Sequence, residues 1–475
     1  MTDYLLAPDL PSSLDWVNCS PQRLAALRGR VTALAFWHAG SATCANMLSD
    51  MAYLQARYAD GLSVIGMHTP KFDAQRDSAR VARAVNRLGV RFPVANDADA
   101  VAWQHYGLRG WPAVALLDAQ GRLVEIIAGD QQRDMLEERI VQLLHEAGER
   151  GLRVYENAQP VSRPEPLADV AFPRALALTP QRLFVSDAGH HRVLECDHAG
   201  RMLRVFGSGT AGFADGLGIQ AGFHSPCGLA VFKDVLYVAD TGNHAIRRIR
   251  LATGEVDTLV GQGRNGVPHA VPDVRGAGVL LDQPWGVAAG SDRLHVSLAA
   301  SNQIWELDLT SFAFRPLAGS GRMVLTDGIG ALAAFAQPAG LALAQSTLYV
   351  CDSQASALRC VDTASGAVHT LIGHGLFDFG NEEGDRESAR LQYPLGVAVD
   401  PIAPMLWIAD SYNDAIGAWH LEGGGLVRFP LAHRLRGPTA IVSDGARLWI
   451  ANTDAHEVLC MDIASGRLEV LPMTP

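Results

Sequence analysis

Leu236 to Gly261 reads LYVADTGNHAIRRIRLATGEVDTLVG. A short apolar strand, LYVAD, runs into a polar turn. A second run, AIRRIR, leaves that turn, and a glycine-containing turn, ATGE, leads into a third, VDTLVG. Just upstream, Pro226 opens PCGLAVF, another apolar strand. This order recurs at a period of about fifty residues, the mark of a repeat architecture. The opening strands are PRALALT, PCGLAVF, PWGVAAG, PAGLALA, PLGVAVD and PTAIVSD, beginning at Pro173, Pro226, Pro284, Pro338, Pro394 and Pro438. The second strands are LFVSD, LYVAD, LHVSL, LYVCD, LWIAD and LWIAN. An apolar residue returns six positions after the strand-ending residue, as from Asp240 to Ile246 and from Asp410 to Ile416. Four strands per unit and six units in phase predict an all-β six-bladed propeller over residues 172–475, because radial repetition leaves few free sheet edges. The last unit holds all four strands within Thr439 to Leu471, so the ring is expected to close without a borrowed strand. Leu152 to Tyr155 (LRVY) is a candidate extra one.

The first 150 residues read differently. Val31 to Trp37, Leu62 to His68, Ala113 to Leu117 and Leu123 to Ala128 are apolar runs of strand length, the last two separated by the turn signal DAQG. Ala45 to Tyr58, between the first two runs, carries helical spacing, and Ala74 to Leu88 and Met135 to Leu144 are further amphipathic segments. Strands alternating with helices, then a hairpin and a final helix, predict an α/β layered domain with a mixed sheet over residues 1–150. Residues 151–171 read as a Pro-rich, semi-rigid linker, with four prolines between Glu156 and Pro173.

Two stretches carry a resemblance. Phe36 to Cys44 (FWHAGSATC) leaves the first central strand, and Gly110-Trp111-Pro112-Ala113 precedes VALLD. Together they resemble the thioredoxin-like fold, where a Phe-Trp strand end is followed by CxxC at a helix start and faced by a cis-proline loop. Pro112 is thus the candidate cis-proline. The resemblance spans roughly Leu14 to Glu146, and the added helix and strand near 74–95 resemble TlpA-like and alkyl-hydroperoxide-reductase-like domains. In the second half, ADTGNHAI (Ala239 to Ile246) resembles the Asn-His-Leu core of NHL repeats. The pairing resembles the NHL repeat-containing protein 2 family and its bacterial relatives. That family carries a CCINC-like cluster where this chain has Gly40-Ser41-Ala42-Thr43-Cys44, so the last cysteine alone survives.

CxxC has therefore become SxxC. Thiol–disulfide exchange needs one thiolate to attack and a second thiol to resolve, and Ser41 supplies neither. A serine there is instead a good helix N-cap. The candidate redox residues are Cys44, Ser41, Trp37 and Pro112, and the leading expectation is a catalytically silent thioredoxin fold. Two alternatives use Cys44 alone. Ser-x-x-Cys resembles the end of a peroxiredoxin motif, although Trp37 stands at its proline position; and a single cysteine can exchange or be glutathionylated. Cys19 is a candidate resolving thiol for Cys44.

The net charge of −11 and the absence of a Lys/Arg run argue against nucleic acid as a partner. Arg247, Arg248 and Arg250 read as a solvated outer strand. No apolar window long enough for a membrane span and no signal-peptide pattern occur. The seven cysteines include no CxxC pair, so no disulfide framework, no metal and no cofactor are expected, and the chain is expected to be cytoplasmic. Asp187, Asp240, Asp352 and Asp410 read as turn-forming residues that bond the amides just after them; Leu298 and Asn452 break any ring of carboxylates, which argues against a metal-dependent hydrolase or lactonase. His190, His191 and His244 lack a third convergent ligand for zinc. Cys360 and Cys460 hold the same place in two repeats and read as packing residues. Leu376 to Arg390, an acidic insertion, reads as a loop between blades, with a partner-binding rim as the alternative. The composite expectation is a binding or scaffold protein offering a propeller face or channel to a protein or small-molecule ligand. The alternative is a thiol–disulfide or peroxide oxidoreductase working through Cys44.

Overall fold

A computed structural model describes residues 5–153, 161, 168–275 and 278–474. The chain divides into two compact units, Met1–Pro166 and Leu167–Pro475. Most of the expected linker, together with Val154 and Tyr155 of the LRVY reading, lies outside the described residues.

The first unit is a six-stranded sheet in the order β1-β4-β3-β2-β5-β6. Its strands are β1 (Asp15–Trp16), β2 (Val31–Trp37), β3 (Leu62–His68), β4 (Val94–Asn96), β5 (Ala113–Leu117) and β6 (Leu123–Ala128). β3 runs parallel to β2 and β5 antiparallel to it. Both central strands are buried along their whole length, which is why they read as unbroken apolar runs. The helices are α1 (Ala42–Arg57), α2 (Ser78–Arg87), α3 (Val101–His105) and α4 (Arg133–Glu149). α1 starts three residues ahead of its expected start, because Ser41 caps it. The predicted helix 74–88 is split: a short turn covers Asp73–Arg76, and Asp77 then caps α2 through the Ala79 amide at 2.9 Å.

The second unit is the six-bladed propeller, one blade per repeat. Blade one uses Pro173–Leu178 to Met202–Phe206 and blade six Pro438–Ser443 to Leu468–Val470, so the ring closes without a borrowed strand. Two closed circles of hydrogen bonds join the blades. In the first, a hydroxyl donates to a main-chain carbonyl of the next blade. Ser186 reaches Cys227, Thr241 reaches Pro284 at 2.6 Å, Ser297 reaches Ala339 at 2.6 Å, Ser353 reaches Pro394 at 2.8 Å, Ser411 reaches Pro438 at 2.6 Å, and Thr453 returns to Pro173 at 2.6 Å. In the second, a side chain at a left-handed turn position accepts the amide that precedes the next blade's opening strand. The acceptors are His191, His244, Asn302, Ser356, Asp414 and His456, and the donors Ser225, Gln283, Gln337, Tyr393, Gly437 and Phe172. Near the axis the blades crowd: a Cβ on Gly340 would lie 2.3 Å from the Leu395 carbonyl oxygen, and one on Gly286 2.2 Å from that of Ala339.

The aspartates depart from expectation. They do not bond the amides that follow them. Asp187, Asp240, Asp352 and Asp410 reach back to the amides of Ala171, His224, Ala336 and Gln392, tying the incoming chain to the end of the second strand. Asn452 does the same for Arg436. All are buried, and the four carboxylates are each paired with an arginine: Arg192, Arg247, Arg359 and Arg428. Arg247 is therefore not solvated, as its strand position suggested; it is fully buried between Asp240 and Asp215. A buried guanidinium needs such acids, since an unpaired one costs far more than it returns. Arg248 and Arg250 share Asp257.

Candidate functional site

The site lies at the C-terminal end of β2. The register sets Phe36 opposite Ala113, which brings the Trp111–Pro112 peptide, which is cis, beside His38. The His38 and Trp111 rings are 5.1 Å apart, and Trp103 lies 4.5 Å from Trp111. Four residues after Trp37, Ser41 starts α1. Its hydroxyl oxygen accepts the Cys44 amide at 3.1 Å, satisfying one of the orphan donors of a helix start, and sits 2.9 Å from the Thr43 hydroxyl.

Cys44 lies one turn further in and is 0% exposed. Burial pushes its thiol up to about 12; the Ser41 hydroxyl and the His38 amide oppose this, and nearby Asp130 reinforces it. At neutral pH such a thiol stays in its neutral form. Its surroundings offer little positive charge: burial holds His38 well below the ordinary imidazole value and His68 at about 4. Asp130, raised by burial, accepts from Asn46 at 2.8 Å, and Asp50, pushed up to about 6 by burial, faces Arg133 at 3.6 Å. Cys19 has other neighbours, Val94 and Gln22. Among the described residues no disulfide forms and no group of three or more His, Cys, Asp or Glu could hold a metal ion.

The four predicted residues thus fall in one place: Ser41 at the cap of α1 and Cys44 in its first turn, Trp37 at the end of β2, and Pro112 across from them. Trp37 is fully buried, its ring 5.0 Å from His68. Its Nε1 and His68 Nε2 have no hydrogen-bond partner among the described residues. Sequence reading passed over His38, His68 and Asp130. His38 stood inside the quoted motif and His68 ended a predicted strand, so both were within reach; Asp130 follows a hairpin and gives no signal.

In the propeller, the opening strands surround an axial cavity of about 330 Å³. Arg174 stacks over Trp285 at 4.2 Å in its lining. No helix among the described residues is long and apolar enough to cross a membrane.

Residues 8–144 match the Redoxin family model. Human NHL repeat-containing protein 2 is 30% identical over 99% of this chain and 72% of its own length. Arabidopsis thaliana Protein SUPPRESSOR OF QUENCHING 1, chloroplastic, is 31% identical over 97% of this chain and 47% of its own. Thiol-disulfide oxidoreductase ResA of Bacillus thuringiensis (strain Al Hakam) is 31% identical over 23% of this chain and 62% of its own. Fold and site define a thioredoxin-like module fused to a six-bladed propeller, a class fitted to redox or binding work. Within that class, the chain belongs to the NHL repeat-containing protein 2 family. It spans about half the length of the plant relative.

Proposed function

We propose that this chain is a cytoplasmic binding or scaffold module whose thioredoxin-like domain is chemically silent. The carrying observation is the state of Cys44: fully buried, tied to Ser41, and held as a neutral thiol with no attacking cysteine beside it. A thiol in that position neither starts exchange nor meets a substrate disulfide. Binding then falls to the propeller, whose face or axial cavity would take a protein or a small molecule; the Arg174–Trp285 pair suits an anionic or aromatic group. The test is reduction of a protein disulfide by the natural chain and by Ser41→Cys. The natural chain should be inactive and Ser41→Cys should gain activity. Turnover by the natural chain, lost in Cys44→Ala, would refute the silent reading.

A second reading, an oxidoreductase using Cys44 alone, is favoured by retention of Trp37 and the cis Trp111–Pro112 peptide and by the likeness to a thiol-disulfide oxidoreductase. It requires a conformation that exposes Cys44 and predicts a trappable mixed disulfide at that residue.

A further inference from the structure

The outer edges of the blades are not treated alike. Short rim strands from the connecting loops, Gly216–Leu217, Gly328–Ile329 and Gly384–Asp385, cover the outer strands of blades two, four and five. Val271 exchanges both main-chain bonds with Phe314 on blade three, at 2.9 Å each. These segments come from the long connections 207–225, 262–283, 319–337 and 373–393. Blade six is entered through residues 430–437 alone, too short to supply one. Among the described residues its outer strand, Leu468–Val470, ends its sheet.

That edge has a definite pattern. Arg467 and Leu471 make the main-chain bonds to the neighbouring strand, through Asp462 and Val458 at 2.9 Å each. By the alternation of antiparallel ladders, Leu468 and Val470 between them turn their amides and carbonyls outward. Arg467 and Glu469 flank Leu468 and pair with each other within the chain at 2.6 Å, their side chains 77% and 57% exposed and so able to exchange that pair for one with a second copy, and Val470 is 48% exposed. In the covered blades two and four the rim strand follows an acid, Asp215 or Asp327, that bonds a blade arginine and threonine. Blade six carries Leu459 and Val470 at the matching cross-strand pair, so it offers no seat for such an acid. What its edge offers is one positive and one negative residue two positions apart. Run antiparallel against itself, that sequence is self-complementary.

We propose that the blade-six edge is an interface between two copies of this chain, pairing antiparallel about Leu468 so that Arg467 of each copy faces Glu469 of the other. The two Leu468 residues exchange main-chain bonds, and the flanking pair is the close, non-hydrogen-bonded one, where opposite charges attract and like charges repel. A cleft of about 560 Å³ beside the strand, lined by His198, Arg447 and Cys460 among others, gives the partner's side chains room. A three-residue ladder is a small interface, so the dimer is weak and concentration-dependent.

The full-length chain is examined by light scattering and sedimentation over a dilution series. The natural chain should show twice its single-chain mass when concentrated and the single mass when dilute. Arg467→Glu and Glu469→Arg each set like charges opposite one another and should stay single. Mixed together, they regain opposite pairs and should form a heterodimer, a result that pairing within one chain does not produce. A natural chain that stays single at every concentration, through which the edge is left to a strand of another protein, overturns the proposal. So does dimerisation of either variant alone at natural strength.

Discussion

At Ser41 an oxygen stands where exchange chemistry needs a sulfur, and the local structure keeps its form: the helix is capped and the Cys44 amide is satisfied. Replacing Ser41 by alanine should cost about 1 kcal/mol in the first unit, seen as a lower midpoint in urea unfolding, because the amide loses its acceptor. Ser41→Cys should form a reversible disulfide with Cys44, read as a two-proton mass difference between oxidised and reduced chains. The motif was legible because its residue types lie close together in sequence. The surrounding electrostatics were not, because burial sets them and burial depends on where β3, α2 and the β6–α4 loop come to rest.

Among the elements, the opening strand of each blade is fixed by its neighbours. Gly340→Ala sets a methyl 2.3 Å from the Leu395 carbonyl oxygen and should cost about 1–3 kcal/mol by over-packing. Thr241→Val removes the 2.6 Å bond to the Pro284 carbonyl and strands a buried acceptor, again about 1–3 kcal/mol. Thermal unfolding of the full chain, followed in the β signal, checks both. The strands themselves stood out in the sequence because their apolar pattern repeats in phase. The inter-blade bonds did not. The hydroxyl comes one residue after the second strand's end in Thr241, Ser353, Ser411 and Thr453, but one residue before it in Ser186 and Ser297. The amide acceptor is a histidine, an asparagine, a serine or an aspartate. Those side chains share an acceptor atom and a left-handed backbone, not a letter, so only the geometry unites them.

Over the whole molecule, two of the bonds that join neighbouring blades rest on groups that titrate. Burial holds His191 and His244 at about 4, and each accepts an inter-blade amide at Nδ1, which a proton would block. His224 faces both; His190 and Asp187 stand near His191, and Asp282 lies 3.9 Å from His244. An imidazole ordinarily near 6.5 and lowered on folding leaves stability full above 6.5 and removes it as pH falls toward 4. Asp240, pushed up to about 6 by burial, acts in the opposite sense between its ordinary value and 6. The histidine part is isolated by His191→Asn with His244→Asn, since Asn302 shows that an asparagine makes the same bond. The double variant should match the natural chain above pH 6.5 and be more stable below it; equal pH profiles would show that these bonds carry no titration.

The central claim, a silent thioredoxin-like domain, is tested most directly by following alkylation of Cys44 against pH in the folded chain, peptide by peptide, with Cys19 as the internal comparison. The account predicts that Cys44 stays unmodified at every pH at which the chain remains folded and reacts once it is unfolded, while half-buried Cys19 reacts earlier. Alkylation of folded Cys44 with a midpoint well below about 8.5, the ordinary thiol value, would contradict it and place redox chemistry at this site.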